Sequence, residues 1–310
     1  MLLQSLIRTL GIATLVAIVG AKLTPAQEHE LLDPNSQQIL VTPAAEHAVP
    51  AAGKRVFVTP AAFQGTDVFH TLYLPANWES NGPKLPIIFE YTGNYFPASG
   101  STGEPEDAGL GYGLSSGKFI WVSLPYLSKN HRDNERTWWG DLDATVDYAK
   151  QQVPLIIKEF NADPNNVFLC GFSRGAIGVN FIGLHDDEIA SLWTAFVSHD
   201  HFDGAKRWGT SWGSPLETYQ AAARTRLKRV GTRPYLVSQN GSSKSSEVFI
   251  RSVLDKAPNF LFSYINAQEA LGAFPNKWAK SAHTDRWLLK PSQYRTRTWQ
   301  WINDVLRGNK

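Results

Sequence analysis

The chain has 310 residues, of which 43% are hydrophobic and 19% charged, enough apolar material for a full core and too much for a disordered or fibrous chain. Thirty Lys and Arg against 28 Asp and Glu leave a formal charge of +2, which argues against an electrostatic nucleic-acid binder. The single cysteine, Cys170, excludes an internal disulfide and a cysteine-built metal site, and eleven tryptophans exceed what a core normally uses.

Residues 1–27 read as a targeting segment. Leu10–Ala21 (LGIATLVAIVGA) is an unbroken apolar run, followed by Lys22. Twelve residues are too short to cross roughly 30 Å of hydrocarbon but suit the core of a signal peptide. Small residues at Val19-Gly20-Ala21 or Thr24-Pro25-Ala26 offer cleavage sites, so the mature protein is expected to be exported, periplasmic or extracellular. An uncleaved membrane anchor is the alternative, and the only route to a membrane. Residues 28–52, rich in Pro, Ala and Glu, read as an extended arm. Residues 53–310 form a single domain.

Within that domain short apolar runs alternate with longer amphipathic ones. Strands are expected at Arg55–Val58, Phe69–Leu74, Leu85–Tyr91 and Lys118–Leu124, the last after a Gly-rich loop. Apolar residues at Leu142, Val146, Ala149, Val153, Ile156 and Ile157 have helical spacing over Asp141–Phe160, with Asp141 as cap. The rest reads as strand Asn166–Cys170, helix Arg174–Leu184, strand Leu192–Ser198, helix Leu216–Val230, strand Pro234–Ser238, helix Glu247–Leu254, strand Asn259–Ile265 and helix Gln293–Leu306. Strands apolar on both faces and alternating with helices predict a three-layer α/β domain, a mostly parallel central sheet with helices on both faces; the early strands suit an antiparallel edge.

Gly171-Phe172-Ser173-Arg174-Gly175 fits G-x-S-x-G with a strand before it and a helix after it. Such a strand-to-helix turn pushes the serine hydroxyl outward, and the helix aims free amides at the place where an oxyanion would form. Ser173 is therefore the candidate nucleophile.

At this point the chain resembles the α/β-hydrolase family from about Phe69 to Leu306. Thr71–Gly93 (TLYLPANW…LPIIFEYTG) is similar to the opening of esterases and depolymerases, the elbow follows, and His283-Thr284-Asp285 with Trp287 is similar to the late histidine loop. The resemblance implies the α/β-hydrolase fold and serine hydrolase chemistry on a carboxylic ester, of a carbohydrate or a polyester, with neither metal nor other cofactor. His283 is the one histidine after the last strand, in the order Ser…acid…His, and is the candidate base. Where relatives often carry His-Gly this chain has Glu90-Tyr91-Thr92-Gly93-Asn94, so Gly93 and Asn94 are the candidates for the oxyanion loop. Arginine directly after the nucleophile is similar to glucuronoyl esterases, where it assists the oxyanion; Arg174 is expected to offer its amide and its guanidinium.

The acid is open between three residues. The usual place, after Pro234–Ser238, carries Gln239-Asn240-Gly241-Ser242-Ser243-Lys244 and no carboxylate before Glu247. The preceding strand ends in Ser198-His199-Asp200-His201-Phe202-Asp203-Gly204, which makes Asp203 the first choice, Asp200 the second and Glu247 the third. The same cluster has the composition of a metal site but lacks a second group of ligands downstream. Trp138 and Trp139 are candidate substrate platforms; Trp208, Trp212 and Trp278 also fall in loops, and Phe202–Pro215 with Ala267–Ser281 is a candidate cap. Two other functions compete: a binding protein that keeps the hydrolase scaffold without catalysis, and a serine peptidase.

Overall fold

The computed structural model describes residues 29–208, 212–272 and 283–308. The expected targeting segment lies outside them. Among the described residues no helix is long and apolar enough to cross a membrane.

Nine strands form one sheet: β1 (Ala45–Glu46), β2 (Arg55–Val58), β3 (His70–Tyr73), β4 (Leu85–Tyr91), β5 (Ile120–Leu124), β6 (Ala162–Phe172), β7 (Ala195–His199), β8 (Tyr235–Asn240) and β9 (Phe260–Ile265). Their spatial order is β1-β2-β3-β5-β4-β6-β7-β8-β9. The pairings β2–β3 and β3–β5 are antiparallel, and everything from β5 to β9 is parallel. This is the predicted antiparallel edge on a parallel sheet.

Period-two alternation sends side chains of each central strand into two cores. Ile87, Phe89, Tyr91, Val167 and Leu169 face one, with Val146, Val153 and Ile177 from α2 (Leu142–Glu159) and α3 (Arg174–Phe181) and Leu227 from α5 (Leu216–Lys228). Ile88, Phe168, Cys170 and Val197 face the other, with Leu110 and Leu114 of α1 (Leu110–Ser115) and Trp299, Ile302 and Leu306 of α8 (Gln293–Gly308). Both faces are covered, so the three layers are present. α2 begins as expected: the Asp141 side chain accepts from the amide of Ala144 at 3.0 Å.

Two elements differ from expectation. β6 starts at Ala162, through the Asp163-Pro164 pair expected to be a turn, because a register shift against β4 between Leu85 and Ile87 absorbs the irregular residues. The Gly-rich LGYGLS forms α1, held by a distant carboxylate. Glu90 of β4 accepts from the amides of Gly109, Leu110 and Gly111 at 3.2, 3.1 and 2.8 Å, and from Trp121 Nε1 at 2.8 Å. Those amides have no partner within the helix, so the buried Glu90 side chain supplies what the local sequence lacks.

The arm is extended and stitched to α8. Asn303 brackets Leu32 through both its N–H and its C=O at 2.9 Å, Arg295 donates to the carbonyls of Ser36 and Gln38, and Leu40 N–H donates to Leu289 O at 2.8 Å.

Candidate active site

Ser173 sits between β6 and α3 with φ 59° and ψ −120°, in a region where a residue with a Cβ is strained. The surrounding backbone leaves no alternative. A Cβ on Gly175 would lie 1.7 Å from Tyr91 O, and one on Gly171 would lie 2.2 Å from Gly175 C. The two flanking glycines let α3 start hard against the ends of β4 and β6, and that close approach forces the turn at Ser173.

His283 Nε2 stands 2.9 Å from Ser173 Oγ. Its Nδ1 makes a short hydrogen bond to Asp200 Oδ2. Asp200 follows the end of β7 with φ 73°, and its amide donates to Ser238 O at 2.8 Å. Burial pushes the Asp200 carboxyl up, but the hydrogen bond from His283, the neighbouring imidazoles His199 and His283 and the amide of Asn240 outweigh it, leaving the carboxyl below its ordinary value. Serine, imidazole and carboxylate thus form one hydrogen-bonded line, in the geometry by which a carboxylate fixes an imidazole tautomer and the imidazole takes a proton from a hydroxyl.

The first choice of acid is corrected by this geometry. Asp203 is fully buried three residues further on, in a two-pronged ion pair with Arg226 of α5 at 2.7 and 3.1 Å. Gly204, at φ 81°, turns the chain there, and a Cβ on it would strike Phe249 at 2.4 Å, so the segment dives under α5 instead of facing His283. Burial raises the Asp203 carboxyl, with Arg226 opposing. Glu247, the third choice, opens α6 (Ser245–Val253) elsewhere and bonds Arg251 and the Tyr264 hydroxyl. Asp200, the second choice, holds the position. The absent carboxylate on β8 is accounted for as well: Gln239 and Asn240, at its end, donate to Asp200 Oδ1 at 2.7 and 2.9 Å.

Gly93 lies beside the nucleophile, where a Cβ would be 3.5 Å from Ser173 Cβ and 4.0 Å from Oγ. The Asn94 side chain is occupied by the next loop, accepting from Trp138 N–H at 2.8 Å, so from this pair backbone amides remain for an oxyanion. Arg174 needs a correction. Its amide belongs to the first turn of α3, but its guanidinium is buried and turned away from solvent, donating to the carbonyls of Glu135, Trp138 and Gly103 at 3.3, 2.9 and 3.0 Å over the Tyr126 ring. It fastens two loops together instead of facing the oxyanion.

Of the two tryptophans, Trp139 is 6% exposed and packs among Tyr126, Phe181 and Trp212, which removes it as a platform. Trp138 is half-buried and stacks on Trp212 at 5.4 Å. Trp208 is buried against His201, so the described part of the expected cap is packed down. Of the other part, Ala267–Leu271 forms a short helix, and residues 273–281 with Trp278 lie outside the described residues. Exposed aromatic surface comes from Tyr95 and Phe96, 46% and 59% exposed, directly after Gly93-Asn94. Sequence reading passed over them because neither lies in a motif. His199, weighed above only as part of a metal-like cluster, has a structural role: its buried ring receives Trp287 Nε1 at 3.1 Å and binds Ser238 Oγ at 2.9 Å, tying the histidine loop to β7 and β8. Asp200 and His201 both meet His283, while His199 and Asp203 turn to other partners, and among the described residues no group of three or more His, Cys, Asp and Glu could hold a metal ion.

A sheet of this order, with an elbow serine after β6, an acid after β7 and a histidine after β9, defines the α/β-hydrolase fold. Solved structures are similar to it. The AtxE2 isopeptidase (S527A variant) with Astexin3-dC4 bound superposes with a TM-score of 0.51 at 16% identity, over 82% of this chain and 40% of that one. A sugar hydrolase (YeeB) from Lactococcus lactis gives 0.50 at 14% over 82% and 98%, and a ferulic acid esterase 0.49 at 14% over the same shares. This chain therefore spans about 40% of the isopeptidase but nearly all of the two smaller proteins. No protein-family model and no curated sequence matches it.

Proposed function

We propose that this chain is a serine hydrolase that cleaves carboxylic esters, of a carbohydrate or a polyester, through an acyl-enzyme on Ser173. The observation that carries the reading is the hydrogen-bonded line Ser173–His283–Asp200 at the carboxyl ends of β6 and β7. Ser173 Oγ attacks the ester carbonyl carbon while its proton passes to His283 Nε2. The carbonyl oxygen takes up the negative charge facing the amides at Gly93 and Arg174. The tetrahedral centre collapses, His283 returns the proton to the leaving alkoxide, and the alcohol departs. Water then attacks the acyl-Ser173 with His283 as base, releasing the acid and restoring the hydroxyl. Asp200 keeps the Nδ1 proton in place throughout.

Exposed aromatic surface beside the oxyanion loop, from Tyr95 and Phe96, supports the substrate class, since apolar rings suit sugar faces or polymer chains; the Arg136 guanidinium covers one face of Tyr95. The apolar run Leu10–Ala21 supports export. A fluorophosphonate probe tests the chemistry: it should label the wild-type chain and not Ser173→Ala, and the serine variant should lose several orders of magnitude in turnover while unfolding at an unchanged temperature. A panel of acetyl, feruloyl, glucuronoyl and short-chain nitrophenyl esters, with an amide counterpart, identifies the acyl group. Labelling that persists in Ser173→Ala would discard the reading.

A further inference from the structure

Two rings pack against the imidazole of His283. His201, one residue after Asp200, stacks on it at 4.9 Å between centroids with 27° between planes. Phe172, one residue before the nucleophile, lies tilted against it at 4.6 Å and 37°. His201 is itself backed by Trp208 at 4.2 Å, and the Lys206 ammonium sits over that indole at 4.7 Å. Both residues are chain neighbours of groups bonded to His283, so the elements that supply the serine and the carboxylate also supply the rings packed on the base.

Such a clamp has a physical purpose. His283 comes from a separate loop, and its side chain is 35% exposed. Two hydrogen bonds along one edge of a planar ring fix its direction but leave it free to rock about the line joining Asp200 and Ser173. A ring stacked on the imidazole, with a second tilted against it, restricts that motion. A histidine can serve here only if it stays uncharged beside the imidazolium that forms in the reaction, and burial, with the neighbouring His283 and Lys206 acting in the same direction, pulls the His201 value down to about 3.

Resting on the serine-hydrolase reading above, we propose that His201 is a positioning residue for acyl transfer, a flat wall that holds the His283 ring in the plane shared by Asp200 and Ser173. The wall acts through its face, so a phenyl ring should replace it and a small side chain should not.

The test uses the full chain with a short-chain nitrophenyl ester and the fluorophosphonate probe. His201→Ala should lower kcat by about 10- to 100-fold and slow labelling of Ser173 in parallel, with KM little changed, since a misplaced reacting group costs on that order. His201→Phe should bring kcat and labelling back to within about threefold of wild type, because the wall is restored without the nitrogens. Should His201→Ala fail to fold, His201→Leu fills the space without a flat face and must be markedly slower than His201→Phe. Unchanged kcat in His201→Ala, equal rates for the Leu and Phe variants, or a Phe variant as slow as Ala at the wild-type unfolding temperature would each overturn the proposal. Absence of both hydrolysis and labelling in the wild-type chain would instead overturn the serine-hydrolase reading, and this proposal with it.

Discussion

Asn240 donates its backbone N–H to Asp200 Oδ1 at 2.9 Å, across the ends of β8 and β7. With Gln239 Nε2 at 2.7 Å on the same oxygen, the strand that usually carries the acid here holds the acid of its neighbour. Oδ2 is left for His283. One carboxylate oxygen thus anchors the group and the other meets His283, so the carboxylate facing the imidazole sits one strand away from the usual place.

Asp200 and Asp203 should therefore respond differently to the same change. Asp200→Asn removes the acceptor that fixes the imidazole tautomer and should lower kcat by roughly 10³- to 10⁴-fold, with little effect on KM. Asp203→Asn leaves Arg226 buried beside a neutral amide, which should cost about 3–5 kcal/mol of stability while the folded fraction turns over much as wild type. Ester kinetics with thermal unfolding of both variants checks this; a large kcat loss confined to Asp203→Asn would return the acid to that residue.

Arg174→Lys should be far from conservative. A single ammonium cannot span the carbonyls of Gly103, Glu135 and Trp138, which come from two loops beside the nucleophile. We expect a lower melting temperature, about tenfold or more off kcat, and restored loop protection in none of the conservative replacements. Hydrogen exchange over residues 93–109 and 126–141 reads the loops directly, and unchanged exchange would refute the fastening role.

Stability should fall towards neutral pH through Glu90. Burial, and after it the charge of Asp285, raise its carboxyl from 4.5 to about 7, so the folded chain keeps a proton that the unfolded chain releases. The contribution is full below pH 4.5 and is lost as pH rises towards about 7, beyond which the slope vanishes. Glu90→Gln, which carries no group that titrates there, should show a shallower decline over that interval. A slope identical to wild type would place its origin elsewhere.

How much of this was legible in the sequence follows from what each feature depends on. β4 and β6 through β8 were legible because strands buried on both faces must be apolar along their length. The elbow was legible because its glycines are demanded by contacts within five residues, and His283 by its place after β9. The choice between Asp200 and Asp203 depended on Arg226, 23 residues away on a different element, and on a left-handed turn that no residue type requires. α1 was hidden for a similar reason: Glu90, which caps it, lies on another strand. Tryptophan pairs carry no mark of which indole faces inward, so Trp138 and Trp139 were equivalent until the cluster around Trp212 separated them.

Amino-terminal sequencing of the exported protein should find cleavage between Ala21 and about Gln27. His29 bonds Asp163 at 2.6 Å, and Glu30 pairs with Lys118, so a cut in that interval spares every arm contact described. An intact Met1 recovered in a membrane fraction would instead mean an anchor.

The arm also sets an order of events. Leu32 meets its partner Asn303 across 271 positions of chain, so the arm has no seat until α8 has docked on the sheet. Closure of this edge of the fold is thus a long-range event. Loss of α8 would leave the arm without its anchors and bare the apolar face of the sheet that Trp299, Ile302 and Leu306 cover.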